Sequence, residues 1–369
     1  MHYSARVRWL VVVAVLSAGC PSASHPPTPP PRTELPPGPE PGPNAEMRIH
    51  LIDVGQGAAT LVEFSCAAVL VDTGGESSER FDSEKRLMRY LDRFFRVRPH
   101  LHDTLAVLVL THPHIDHARS VMAVFRRYHV QNVVTDGLTT SSGGEQASYL
   151  LRATVAAGIG DARIAARDVP ATGVHDRVID PVSCPDGDPD IRAFWGGVAR
   201  GDVSWDAGAI DNANNSSVVV RFRLGQASFL VTGDLEQDGI GELVRRFGAS
   251  GELRADVYEV GHHGSWNATT KALLDAIQPK LALIAMGQVA REDTWSAWAY
   301  GHPRIETIEL LEAALTGPKR EPPLHVSVGM GAKQFQPRDI TAPIYATGWD
   351  GDVTVTLHAD GRAIVRTHH

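Results

Sequence analysis

At 369 residues the chain is long enough for one large catalytic domain or two ordinary ones with a sizeable core. Its hydrophobic share of 43% is that of a globular protein, and a formal net charge of −8 lacks the basic excess of a protein built to grip nucleic acid tightly.

Arg6 and Arg8 open the chain ahead of an apolar stretch over 9–16 and the small residues Ser17-Ala18-Gly19 before Cys20. This pattern predicts an export signal over 1–20. The apolar stretch is far shorter than the roughly 20 residues that cross a bilayer, and no later segment is long or apolar enough to span one. The residues before Cys20 are similar to a bacterial lipobox, with Ser17 where leucine is usual, so the expected mature chain is lipid-anchored at Cys20, plain secretion being the alternative. Pro21, in place of the aspartate that retains lipoproteins in the inner membrane, points to the outer membrane or cell surface. Residues 21–45 are rich in proline and predict an extended, disordered tether, which leaves 46–369 as the folded domain. Cys66 and Cys184 could pair in an oxidising compartment or stay as unpaired buried cysteines.

Short β-rich runs over 47–54, 59–64 and 67–71, parted by glycine or polar breaks, predict neighbouring antiparallel strands. A helix over 83–96, a buried strand over 105–110, a helix over 118–128 and a strand over 132–135 follow. Residues 171–213 are polar, glycine-rich and aperiodic, and predict loops beside a site with Trp195 and Trp205. The strand pattern resumes in a hairpin of 217–224 and 227–231, then a helix over 235–247, a strand over 256–260, a helix over 269–277 and a strand over 281–285. Strands end in polar clusters from which helices start, so reactive side chains gather along one edge of two sheets.

The densest cluster is Thr111-His112-Pro113-His114-Ile115-Asp116-His117, which sets three imidazoles and a carboxylate on a strand-to-helix turn. Such a turn lets side chains converge that could not meet within a regular element. Imidazole nitrogen and carboxylate oxygen are ligands for zinc, manganese or iron(II), so this is a candidate metal site.

Further clusters stand in a set order. They are Asp53-Val54-Gly55-Gln56-Gly57, Val71-Asp72-Thr73-Gly74, Asn214-Asn215-Ser216-Ser217, Thr232-Gly233-Asp234, Gly261-His262-His263-Gly264-Ser265 and Tyr300-Gly301-His302-Pro303, with a tail from Ala346-Thr347-Gly348-Trp349 to a final hairpin. Together with the 111–117 cluster they resemble the metallo-β-lactamase fold, in the ComEC-like branch named for the hydrolase domain of bacterial competence DNA-uptake proteins. The resemblance covers nearly all of 47–369. It implies an α/β, four-layer αββα sandwich with two divalent metal ions between the sheets, zinc first and manganese as the alternative. By motif, His112 and His114 would hold the first ion, Asp116 and His117 the second, and Asp234 both. One of His262 and His263 would complete the second, with His263 favoured. Asp72 would orient ligands by hydrogen bonds. Asp53, Gln56, Asn214, Asn215, Ser265 and Trp266 are expected around the ligands or against substrate. Many members of the wider fold supply a third histidine to the first ion where this chain has Asp211-Asn212-Ala213-Asn214-Asn215. That version is usual in the branch, and amide oxygen, the weaker ligand, implies a looser first ion.

Two close divalent ions lower the pKa of a shared water toward neutrality and stabilise oxyanions, so the implied reaction is metal-assisted hydrolysis. Asp116 and Asp234 would align the water, and His262 or His302 would protonate the leaving group. The expected substrate is a phosphodiester, by analogy alone: DNA, nucleotides or envelope phosphocholine esters. Trp266, Trp295, Trp298 and Tyr300 could wall a base, a sugar or a choline-like cation. The alternatives are a hydrolase of carboxyl ester or lactam bonds, and a non-catalytic surface-binding lipoprotein. No obligate protein partner is expected.

Overall fold

Period-2 alternation along the central strands builds the layers. In Val107–Leu110, the side chains of Val107 and Val109 face one apolar cluster and those of Leu108 and Leu110 another; Val69 and Val71 divide from Leu70 in the same way. Such strands are buried on both faces, as the interior of a sandwich requires. The computed structural model describes residues 41–42 and 45–368, so the predicted signal, Cys20 and most of the tether lie outside the described residues. The last tether residues are already docked: the Gly42 N–H donates to the Asp186 carbonyl at 2.7 Å. No described helix is long and apolar enough to cross a membrane.

The first sheet runs Ala363–His368, Asp352–His358, Glu46–Leu51, Thr60–Glu63, Ala68–Val71, Val107–Leu110, Asn132–Thr135, Gly160–Arg163. Its pairings are antiparallel as far as Ala68–Val71 and parallel beyond it. The second runs Ile344–Ala346, Leu281–Ile284, Val257–Glu259, Ala227–Val231, Val219–Leu224, Asp190–Trp195. Helices Ser83–Arg96, Val121–Arg127 and Gly144–Ala157 seal the outer face of the first sheet through Leu87, Leu91, Phe94, Val121, Val124 and Leu150. Helices Gln237–Phe247, Lys271–Ile277 and Ile305–Ala314 contribute Leu243, Phe247, Leu273, Ile277, Ile308 and Leu311 to the core of the second. The architecture is the four-layer αββα sandwich of the metallo-β-lactamase fold.

Two expectations need correction. Residues 171–213 are not all loop: Asp190–Trp195 is the edge strand of the second sheet, and Trp195 is buried in the core, its indole N–H donating to the Asn215 carbonyl at 2.8 Å. The helix expected over 118–128 is two pieces, Ile115–Ala118 and Val121–Arg127, because the Ser120 N–H between them turns aside to donate to the Thr73 carbonyl. Cys66 and Cys184 form a disulfide with Cα atoms 5.5 Å apart, which ties the 171–189 segment to the first sheet.

Candidate metal centre

Parallel strands deliver their C-terminal ends to one edge, and both sheets do so here. Asp72 follows Ala68–Val71, His112 follows Val107–Leu110, Asp234 follows Ala227–Val231, and His263 follows Val257–Glu259. The turn bearing Asp116 and His117 is held by backbone contacts: the Thr73 N–H donates to the His117 carbonyl at 2.7 Å and the Ala58 N–H to the Asp116 carbonyl at 3.0 Å. The approach is so close that a Cβ on Gly74 would stand 1.6 Å from the Asp116 carbonyl oxygen, which is why this motif ends in glycine.

Donor atoms collect into two sets. Asp116, His117, Asp234 and His263 offer one atom each, all within 4.8 Å of one another, and so do His112, His114 and Asp234. Asp234 belongs to both. His263 joins the first set, its Nε2 3.4 Å from Asp116 Oδ2 and 3.5 Å from Asp234 Oδ2, and His262 belongs to neither. Asp116 is the most open of the carboxylates, with 32% of its side chain exposed against 3% for Asp234.

The histidine tautomers suit a cation. His263 Nδ1 lies 2.8 Å from the Ala285 carbonyl, which only accepts, so Nδ1 carries the proton and Nε2 turns a lone pair inward. His117 Nδ1 donates to Asp72 Oδ2 at 2.7 Å, leaving its Nε2 3.1 Å from Asp234 Oδ1 and 3.3 Å from His263 Nε2. The Thr111 hydroxyl donates to Asp72 Oδ2 at 2.8 Å and therefore accepts from His112 Nδ1 at 3.1 Å, so His112 Nε2 is bare and faces His114 Nδ1 at 3.0 Å. Lone-pair nitrogens aimed at each other over such distances repel unless a cation or a proton lies between them. The donor set thus fits a pair of divalent ions.

Electrostatics agree. Burial alone would lower His117, but the carboxylates of Asp234 and Asp72 outweigh it and hold the imidazole well above its ordinary 6.5. His263 is raised likewise, burial being overcome by Asp234 and Asp116. Asp234 shows the mirror effect: burial opposes ionisation, yet His117 and His263 keep the carboxyl well below its usual range. His112, with burial unopposed by so close a carboxylate and His117 adding to it, stays well below.

The remaining predicted residues divide. Asp72 meets the ligands directly through His117. Gln56 bridges: its carbonyl oxygen accepts from the Gly287 N–H at 3.2 Å and its amide donates to His302 Nδ1 at 3.1 Å, so His302 carries its proton on Nε2. The His302 ring stacks on Tyr300 at 5.6 Å, and Tyr300 lies 6.3 Å from Trp295, a ladder running from exposed Trp295 to the centre. Trp298 turns elsewhere, under the Lys333 ammonium at 4.9 Å, while Trp266 stands 51% exposed. Asn214 donates to Glu236 at 2.7 Å and keeps a buried carbonyl oxygen with no partner among the described residues. Asn215 instead supports the backbone, accepting from Gly239 and donating to the Ala209 carbonyl. Asp53 caps its own turn through the Gly55 N–H and pairs with Arg86. Ser265 is buried, and its backbone carbonyl accepts from Thr307.

Two residues escaped the sequence reading. Glu236 gathers Asn212 and Asn214 and lies 3.6 Å from His262 Nδ1; the only hint was a second acid two places after Asp234. Glu259 accepts from the Thr60 hydroxyl at 2.8 Å across the two sheets, and burial pushes its carboxyl up to about 7. A lone acid ending an apolar strand just before the His262-His263 pair was the available signal.

A profile of the family described as Metallo-beta-lactamase superfamily matches residues 52–288. The chain is similar to ComE operon protein 3 of Bacillus subtilis (strain 168), 27% identical over 279 residues that cover 73% of this chain and 31% of that protein. It is similar also to Recombination protein 2 of Haemophilus influenzae, 27% identical over 255 residues, 69% of this chain and 25% of that protein. The chain therefore spans less than a third of the length of either relative. Solved structures of similar fold include the metallo-beta-lactamase fold protein YhfI from Bacillus subtilis, at 11% identity and TM-score 0.38 over 64% of this chain and 85% of that one. A diphosphatase from the PhnP family matches at 11% identity and TM-score 0.33 over 65% and 85%.

Proposed function

The chain belongs to the metallo-β-lactamase superfamily, and from that premise we propose that it is a metal-dependent phosphodiesterase acting outside the cytoplasm. The observation that carries the reading is the meeting of two His/Asp donor sets at Asp234, the arrangement suited to a pair of ions clamping both sides of an in-line displacement. His112, His114 and Asp234 would hold one ion and Asp116, His117, Asp234 and His263 the other, zinc first and manganese as the alternative. When bound, the ions would supply an activated water and stabilise charge on the phosphoryl oxygens.

The chain's own groups do the rest. Asp116, the carboxylate most open to solvent, orients the incoming water by hydrogen bonding. Gln56 fixes the His302 proton on Nε2, and the imidazole, kept neutral by burial and by neighbouring His262 and His263, offers that N–H as a hydrogen bond to the leaving oxygen, which takes its proton from solvent. The Trp295–Tyr300–His302 ladder offers a stacking surface for a base, a sugar or a choline-like cation on the substrate. Export with a lipid anchor at Cys20 is supported by the signal-like start of the chain and by the Cys66–Cys184 disulfide, since disulfides persist in oxidising compartments.

The test is hydrolysis of bis(p-nitrophenyl) phosphate by metal-loaded protein, with Asp234→Asn as control. Zinc- or manganese-dependent turnover that the variant loses is expected. A folded, metal-loaded protein without turnover would sink the phosphodiesterase reading and turn attention to ester and lactam bonds or to binding alone.

A further inference from the structure

A second group of ligand-type side chains lies far from this centre. Strand Asp190–Trp195 pairs antiparallel with Val219–Leu224, setting Trp195 against Val219 and Asp190 against Arg223. Trp195 is thus the end near the Asn214–Ser217 turn, and Asp190 sits about 17 Å away at the opposite end of the sheet, at roughly 3.3 Å per residue.

There His175, Asp180 and Asp190 offer donor atoms all within 4.8 Å of one another. His175 Nε2 is 3.2 Å from Asp180 Oδ2, which also accepts from the Ile191 N–H at 3.0 Å. Asp180 is only 4% exposed, yet its Oδ1 has no hydrogen-bond partner among the described residues, and neither does the buried His175 Nδ1. Buried polar atoms without partners are costly and few in a folded protein, and two in one cluster of ligand-type groups call for a ligand. A proton shared by His175 and Asp180 would satisfy one contact and leave both atoms bare. Asp190 is held in place from the other side, accepting from Arg192 Nε at 2.6 Å and lying 3.4 Å from the Arg221 guanidinium.

We propose that His175, Asp180 and Asp190 form a second divalent-cation site that clips the 171–189 segment to the edge of the second sheet. One imidazole among carboxylate oxygens suits Mn²⁺ or Zn²⁺. The Val174–Ala193 bridge, the hydrogen bond from Arg192 to the Thr172 carbonyl and the Cys66–Cys184 disulfide also tie the segment to the sheets. The cation supplies the tie at His175 and Asp180, between them.

The test uses full-chain protein stripped of metal by chelation and reloaded with saturating Mn²⁺. Paramagnetic resonance should show the spectrum of an isolated Mn²⁺ beside the exchange-coupled spectrum of the paired centre. His175→Gln and Asp180→Asn should each abolish the isolated spectrum, keep the coupled one and bind one ion fewer per chain; Asp234→Asn should do the reverse. The proposal falls if the isolated spectrum is absent from the parent, or if it and the ion count survive in both site variants. Should Asp180→Asn fail to fold, His175→Gln decides, its side chain reaching the edge of the cluster where solvent begins. A missing coupled spectrum with the isolated one intact would overturn the paired centre and leave this site standing.

Discussion

Asp72 is the residue on which the orientation of the centre turns, and replacing it tests that directly. It accepts from the Thr111 N–H and hydroxyl, both at 2.8 Å, and from His117 Nδ1 at 2.7 Å, and through Thr111 it also sets the tautomer of His112. Asp72→Asn keeps the shape, and asparagine tolerates the left-handed backbone at φ 58°, so no conformational cost clouds the result. The amide, however, can accept on one side only. If its oxygen meets the Thr111 N–H, its NH₂ faces two donors; His117 then either leaves a buried N–H unmet or shifts its proton to Nε2, the atom aimed at Asp234. An unmet buried donor costs about 1–3 kcal/mol, or about 5- to 150-fold in an equilibrium. That range brackets the ~10- to 100-fold loss usual when a residue orienting a metal ligand is removed. Competition against a chromophoric zinc chelator at constant pH measures it, with thermal melting of the metal-free protein as the control for folding. Zinc affinity within twofold of the parent in a folded variant would refute the orienting role.

Glu259 gives the protein a pH dependence of its own. Its folded pKa, raised from 4.5 to about 7 mainly by burial, means that the native state keeps a proton the unfolded chain has released. The associated stability is present below pH 4.5 and is lost as pH rises to about 7, a change of about 3 kcal/mol. Glu259→Gln should therefore be the more stable protein above pH 7 by about that amount and match the parent near pH 4, in urea unfolding of metal-free protein; a difference that did not vary with pH would contradict this. The Cys66–Cys184 bridge closes a separation of 118 residues, near the top of the entropic scale. Cys66→Ala should lower unfolding free energy by about 2–5 kcal/mol, and an unchanged melting temperature under reductant would show the bridge to be idle.

The helix Ser83–Arg96 was legible to the residue because an N-cap aspartate, Asp82, and an amphipathic stripe mark it locally. Four of the candidate ligands, His112, His114, Asp116 and His117, were legible because they cluster along the chain. Asp190–Trp195 was not: its short run follows Asp186-Gly187-Asp188-Pro189, and only its pairing with Val219–Leu224 makes it a strand. Nor could spacing tell His262 from His263, since adjacent residues differ only in where the turn aims them; the Ala285 carbonyl, 22 positions along, decides it. Glu236, Glu259 and the disulfide likewise depend on partners brought in from other elements.

Thr111 lies at the seam of the two halves. It gives both its donors to Asp72 in the first sheet, and its carbonyl accepts from the Val218 N–H, at the start of the second, at 2.8 Å. A Cβ on Gly233 would stand 3.0 Å from the Thr111 side chain, and one on Gly74 inside the Asp116 carbonyl, so the glycines before Asp234 and after Asp72 set distances between the two ligand-bearing turns. Ligands positioned by backbone contacts do not need the ions to assemble them. Without metal the carboxylates of Asp234, Asp72 and Asp116 favour the protonated imidazoles, which is why His117 and His263 sit above their ordinary range despite their burial. Metal loading is then an exchange of ions for those protons, so affinity should tighten as pH rises and the imidazoles release them.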